Sequence, residues 1–157
     1  MATLGIRHAV LWVGDPRTSA RFYEQALGLV TKSESDDAVF LTSPDSITDH
    51  DLGLFRAAHE GAPERHVGMY HIAWEVATLA ELAEAKERLR SMGALVGENN
   101  HGVSRSLYCH DPDGIEFEVM WELPLELHDE NDPSNVPLDL EADMARWGAD
   151  ARGRGAS

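Results

Sequence analysis

The sequence predicts an α+β fold assembled from two βαβββ modules. Three observations predict it. An order of strand, helix and three short strands runs over residues 5–60, then restarts and runs over 67–122. The leading strand of each half carries a histidine at nearly the same place, His8 and His71, an offset of 63 residues. Each predicted helix opens on a capping signal and closes on a glycine.

The elements follow in order. Residues 5–13 (GIRHAVLWV) read as a strand with Ile6, His8, Val10 and Trp12 on one face. Asp15-Pro16 marks a helix start, with Asp as N-cap and Pro at the first helical position. That helix carries Ala20, Tyr23 and Leu27 at helical spacing and stops at Gly28. Strand-like pieces follow at 29–32, 38–42 and 52–57, and HEGAPERH at 59–66 reads as a polar connector. The second half opens with a strand over 69–76. Thr78 and Glu81 then form a capping box, and Leu79, Leu82, Leu89 and Met92 lie near one helix face before Gly93. Strands are predicted at 94–97, 104–110 and 115–121, the last two separated by the turn Asp111-Pro112-Asp113-Gly114. Residues 123–157 form an acidic C-terminal tail. A short helix within 136–147 is expected to dock, and the last several residues are expected to be disordered.

Composition narrows the function. The chain has 157 residues, 43% hydrophobic and 26% charged, which suits one globular unit with a proper core. Acidic side chains outnumber basic ones 28 to 13, for a formal net charge of −15. Nucleic acid or an anionic membrane surface would need a local basic patch, and the basic residues are scattered. No apolar run approaches eighteen residues, so no membrane span is expected. The first residues lack the pattern of a signal peptide, which makes a cytoplasmic location the default expectation. A single cysteine, Cys109, excludes an intrachain disulfide and a cysteine-rich zinc site.

Eight histidines are many for this length, and two of them carry the chemistry. A lone strand histidine is more often structural. Two at equivalent repeat positions can converge on one point if the halves pack about a pseudo-twofold axis, and neutral imidazole is a common ligand for a divalent metal. A carboxylate is the expected third ligand. Glu116 and Glu118 share one face of the last strand, opposite Ile115, Phe117 and Val119, and alternation cannot choose between them. Two histidines and one carboxylate with open positions is the arrangement of non-haem Fe(II) oxygenases. The position in the first half that matches Glu118 is Phe55, so a symmetric four-ligand site is disfavoured.

The segments IRHAVLWVGDPRTSARFYEQALGL, YHIAWEV and SLYCHDPDGIEFEVMWE resemble the vicinal oxygen chelate superfamily, the group of glyoxalases, fosfomycin-resistance proteins and extradiol dioxygenases. The resemblance covers about residues 5–122. It implies a cupped mixed sheet around a metal site, with His8, His71 and Glu118 as ligands and Glu116 as a neighbour. HDLGLF at His50 and HGVSRSLY at His101–Tyr108 resemble segments of type I extradiol, catechol 2,3-dioxygenase-like enzymes. That likeness implies His50 as the acid–base residue and Tyr108, ten residues before Glu118, as the group that bonds a bound substrate oxygen and assists its deprotonation. It also implies His101 as a hydrogen-bond donor or acceptor to the substrate side, although its interval to Tyr108 is about two residues shorter than in the larger enzymes. MWELP followed by VPLDLEADM resembles the segment after the corresponding module in some of them. Those enzymes often have a second pair of modules, so a homodimer or higher homo-oligomer is expected here. Phe55 departs from glyoxalase I, which places a metal-binding glutamate there.

The implied function is ring cleavage of a catecholic small molecule with O2, on Fe(II) or, second, Mn(II). The alternatives are a glyoxalase-like isomerase, epimerase or thiol transferase, and a binding module without metal. His59, His66 and His128 read as surface residues. His110 and Cys109 carry no direct role, and Trp12, Trp74 and Trp121 read as core.

Overall fold

The computed structural model describes residues 8–46, 50–57, 71–129 and 132–156. The chain divides into two compact units, Met1–His66 with Asp111–Gly114, and Val67–His110 with Ile115–Ser157. The polar connector, His59, His66 and the first residues of both leading strands lie outside the described residues. Among those described, no helix is long and apolar enough to cross a membrane.

The first unit runs β1 (Ala9–Val13), α1 (Pro16–Leu27), β2 (Val30–Glu34), β3 (Ala38–Thr42) and β4 (Leu52–Arg56). Its sheet has the order β1-β4-β3-β2. β1 runs parallel to β4, and the other neighbours are antiparallel. A parallel pair needs a long crossover, which α1, β2 and β3 supply. Helix α1 forms where the capping signals place it. Asp15 accepts from the Arg17 amide at 3.1 Å, Pro16 occupies the first turn, and Gly28 at φ 71° ends the helix with its N–H on the Glu24 carbonyl. Its face of Ser19, Ala20, Tyr23 and Ala26 is buried, and it packs on β3 and β4. Beneath it lie Leu11, Val13, Val39, Leu41, Leu52 and Leu54.

The other face of this sheet carries Val10, Trp12, Phe40 and Phe55, with Trp12 paired to Phe55. Trp12 is 69% exposed, so the expectation of a core tryptophan does not hold there. Both faces of β1 are apolar, and only the packing of α1 decides which one is buried.

The second unit repeats the plan with β5 (Ile72–Glu75), α2 (Leu79–Ser91), β6 (Leu95–Asn100), β7 (Ser104–His110) and β8 (Glu116–Glu122). The sheet order is β5-β8-β7-β6, again with only the first pair parallel. The Thr78–Glu81 capping box is present, and Leu79, Leu82, Ala85 and Leu89 are buried. The edge pair of each unit carries a register shift, at Thr31/Ser33 and at Leu95/Gly97. β6 extends three residues beyond its predicted end at Gly97, because β7 pairs with the polar stretch through Asn100. The turn Asp111–Gly114 closes with a 2.9 Å bond from the Gly114 amide to the Asp111 carbonyl, Gly114 supplying φ 79°.

Beyond β8, a 3₁₀ turn (Leu125–Leu127) precedes α3 (Leu140–Trp147), capped by Asp139. The residues after α3 lie against the start of α2. The Ala149 and Ala151 carbonyls accept from the Ala80 and Leu79 amides at the start of α2, which satisfies donors a helix leaves open there. Trp121 Nε1 also donates to the Ala151 carbonyl, and Gly153 and Gly155 bond Ala77 and Glu75. A Cβ at Gly155 would collide with the Glu75 carboxylate. The small residues that look like a flexible end are what allow this close approach.

Candidate functional site

In the first unit His8 stands immediately before β1 and His50 two residues before β4. Their rings lie 4.5 Å apart between centroids, tilted by 33°. Phe40 stands edge-on to His50 at 4.9 Å. The backbone explains how His50 reaches this place. Asp51 accepts from the Ser43 amide at 2.6 Å and from the Ser46 hydroxyl at 2.7 Å, which ties down the loop after β3. Its carbonyl receives the Ala9 amide at 2.9 Å. Asp51 thereby fixes the backbone on which His50 stands beside His8.

In the second unit alternation gives β8 two faces. Phe117, Val119 and Trp121 are buried under α2, while Glu116, Glu118 and Met120 share the other face. His71 directly precedes β5 and meets both glutamates. Its Nε2 lies 3.1 Å from Glu118 Oε2, and its Nδ1 lies 3.5 Å from Glu116 Oε1. The structure thus separates the two acids that periodicity left equivalent. Glu118, 8% exposed, faces the imidazole nitrogen more distant from the backbone, and Glu116 flanks the ring from the other side. A buried carboxylate is costly without a cationic or hydrogen-bonding partner. An imidazole nitrogen and a carboxylate oxygen converging at 3.1 Å form a donor pair that suits a divalent ion, and a carboxylate at the second ring nitrogen is the usual support of a ligating histidine. Among the described residues no group of three or more His, Cys, Asp or Glu side chains is placed to hold a metal ion.

Tyr108 pairs with Glu118 across β7 and β8, and its ring centroid lies 6.0 Å from that of His71. Its hydroxyl is 2.7 Å from His101 Nε2. His101 Nδ1 is 3.1 Å from Asn135 Oδ1. Both ring nitrogens of His101 are therefore engaged within this unit, and its action on a substrate would pass through Tyr108.

Cys109 turns to the helix-covered face as alternation requires, and burial pushes its thiol up to about 12. His110, read from the sequence as having no role, lies on the Glu116 side, 3.8 Å from that carboxylate. His128 is exposed, as expected, and touches the Leu123 carbonyl. Sequence reasoning missed Asn135, which sits 34 residues from His101 and carries no motif. It also missed Arg105. A signal for Arg105 existed, since it has the inward parity of Leu107 and Cys109 on an otherwise apolar face.

The carboxylates of the Asp111–Gly114 turn serve the first unit's framework. Asp113 accepts from the Gly14 amide at 3.1 Å and the Ser19 hydroxyl at 3.2 Å, and Asp111 accepts from the Tyr23 hydroxyl at 3.0 Å.

Two repeated βαβββ units, each with histidine at the head of its first strand, define a vicinal oxygen chelate fold. A family model, the Glyoxalase/Bleomycin resistance protein/Dioxygenase superfamily, matches residues 5–119, and the chain belongs to that superfamily. It is 33% identical over 118 residues to biphenyl-2,3-diol 1,2-dioxygenase 3 of Rhodococcus globerulus, covering 73% of this chain and 61% of that protein. It is 31% identical over 123 residues to catechol-2,3-dioxygenase of Bacillus subtilis strain 168, covering 76% and 42%. The chain thus spans less than two thirds of either relative's length. A solved structure of a possible glyoxalase from Bacillus cereus superposes with a TM-score of 0.60 at 23% identity, covering 75% of this chain and 99% of that one, which is a likeness of fold.

Proposed function

We propose that the chain is an Fe(II)-dependent extradiol dioxygenase that cleaves the ring of a catechol-type diol with O2. His8, His71 and Glu118 would hold the metal, with Mn(II) as the second choice. The observation that carries this reading is the pairing of half-buried His71 with buried Glu118, with Tyr108 on the same sheet face. The likeness to two proteins named as dioxygenases of a biphenyl diol and of catechol supports it.

When bound, the metal supplies a redox-active Lewis acid that can chelate a diol and take up O2, which zinc could not do for lack of redox chemistry. The remaining work falls to this chain's side chains. Glu116 stands 3.5 Å from His71 Nδ1 while Nε2 faces Glu118, so its charge would favour the orientation in which Nε2 is the ligating nitrogen. Tyr108 Oη bonds a substrate oxygen and assists loss of its proton. His50 supplies acid–base catalysis from the first unit, its ring held by Phe40 and His8. The apolar side chains on that same face, Val10, Trp12 and Phe55, offer an aromatic ring contact area and few competing hydrogen bonds.

Iron binding and turnover should separate among variants. His8→Ala, His71→Ala and Glu118→Ala are each expected to lose bound iron, measured by metal analysis after anaerobic loading. His50→Ala should keep its iron while turnover of catechols falls by about 10²–10⁴-fold, the usual contribution of a general acid–base group. Retention of iron by all three ligand variants would remove the basis of the assignment.

A further inference from the structure

We propose that Asn135, in the C-terminal tail, is a positioning residue that fixes the tautomer of His101 and through it the direction of the Tyr108 hydroxyl. The geometry stands by itself. Its catalytic meaning rests on the dioxygenase reading, in which Tyr108 meets substrate.

Three consecutive tail residues grip the segment between β6 and β7. The Ser134 hydroxyl donates to the His101 carbonyl at 3.0 Å. Val136 and Asn100 exchange both backbone bonds, at 2.9 and 3.2 Å. Between them Asn135 adopts φ 59°, a left-handed conformation that asparagine tolerates better than most residues. This turn brings its side chain back onto the imidazole.

The side-chain oxygen of Asn135 lies at the meeting of two donors. Asn99 Nδ2 donates to it at 3.4 Å, and His101 Nδ1 lies at 3.1 Å. An amide nitrogen in that place would face the Asn99 amide donor to donor, so the oxygen belongs there. Asn99 Nδ2 also stands 3.5 Å from His101 Nδ1, but the shorter contact of that nitrogen, 3.1 Å, is with the Asn135 oxygen, and it assigns the proton to His101 Nδ1. A neutral imidazole protonated at Nδ1 has only a lone pair at Nε2. The Tyr108 hydroxyl, 2.7 Å away, is therefore the donor in that bond.

The consequence concerns what Tyr108 offers to a bound diol. Its proton is committed to His101, so its oxygen meets the substrate as an acceptor and recognises a hydroxyl that still carries hydrogen. With the opposite tautomer, His101 would donate to Tyr108, and the phenol would turn its own proton outward.

The test reads the tautomer directly. Full-length protein labelled with ¹⁵N and stripped of metal by a chelator is studied by long-range ¹H–¹⁵N NMR, at a pH where imidazole is neutral. His101 is identified by its loss in His101→Gln. Wild type should show His101 protonated at Nδ1. Asn135→Gly removes the acceptor while leaving the left-handed backbone unstrained, and His101 should shift toward the Nε2-protonated form. Asn135→Asp keeps an acceptor oxygen and should restore the wild-type pattern. A wild-type His101 protonated at Nε2, or one unmoved in Asn135→Gly, overturns the proposal.

An activity arm keeps the two readings apart. With iron-loaded protein, Asn135→Gly should lower kcat on catechols about 10–100-fold, the range typical when the partner orienting a functional histidine is lost, with KM little changed and rescue by Asn135→Asp. A shifting tautomer with no catechol turnover in any form would sink the dioxygenase reading and leave the positioning role standing. Turnover that is the same in wild type and Asn135→Gly, with an unmoved tautomer, would sink the positioning role alone.

Discussion

Tyr23 shows how single residues settle the frame around the site. It is buried in α1 and donates to Asp111 at 3.0 Å. Burial first, and then the negative charge of Asp111, raise its hydroxyl far above the ordinary value of 10.0. The folded state thus favours the neutral phenol. Its contribution is complete below pH 10 and is lost progressively as pH rises above that value. Tyr23→Phe should cost about 1.5–3 kcal/mol at neutral pH, the range for a hydrogen bond to a charged group. Chemical denaturation across pH 8–11.5, roughly spanning the free phenol's titration, should show the gap between wild type and variant closing at the alkaline end. A gap that widens there would contradict the assignment. At this scale the sequence was uneven. The histidines His8 and His71 stood out through their 63-residue offset. The choice between Glu116 and Glu118 did not, because two acids on one strand face look alike until an imidazole is placed between them. The aspartates of the DPDG turn looked like part of a signature, and the structure uses them to anchor α1.

Helix α3 is held by one charged residue of β7. Arg105, 1% exposed, donates from Nε and Nη2 to both oxygens of Asp143 at 2.7 and 3.0 Å, and from Nη1 to Asn100 at 2.7 Å. Its guanidinium also lies 5.0 Å from the ring centre of Trp147, which packs against Trp121. Breaking a buried pair by removing one partner leaves a charge without compensation. Arg105→Ala should therefore destabilise the chain by about 3–5 kcal/mol in urea denaturation, while Arg105→Met with Asp143→Leu should recover most of that loss. A single-variant cost below about 1 kcal/mol would mean that α3 contributes little to the fold. The sequence reading placed a short helix within 136–147, and α3 spans Leu140–Trp147. Its anchor was not legible, since pairing of residues 38 positions apart leaves no local pattern. The same holds for the chain end, whose Ala149 and Ala151 carbonyls accept from the first amides of α2.

For the whole molecule, the repeat was the most legible feature. Periodicity, caps and turn residues agree locally in both halves, and the structure realises them as two sheets of identical strand order. What tertiary context alone decided was the face each strand buries, as at Trp12, and the length of strands such as β6 that pairing extends. Function is legible only so far as the chemistry of a few side chains, because one fold hosts many reactions. The superfamily's redox and non-redox chemistries differ in one measurable quantity, consumption of O2. The decisive measurement is oxygen uptake by anaerobically iron-loaded protein on addition of substituted catechols. Ring cleavage on iron requires uptake of one O2 per diol, a yellow ring-opened product, and no reaction in the iron-free protein. Turnover without O2 consumption, supported by nickel, cobalt, manganese or zinc, would contradict it and place the chain among the isomerases, epimerases or thiol transferases of the superfamily.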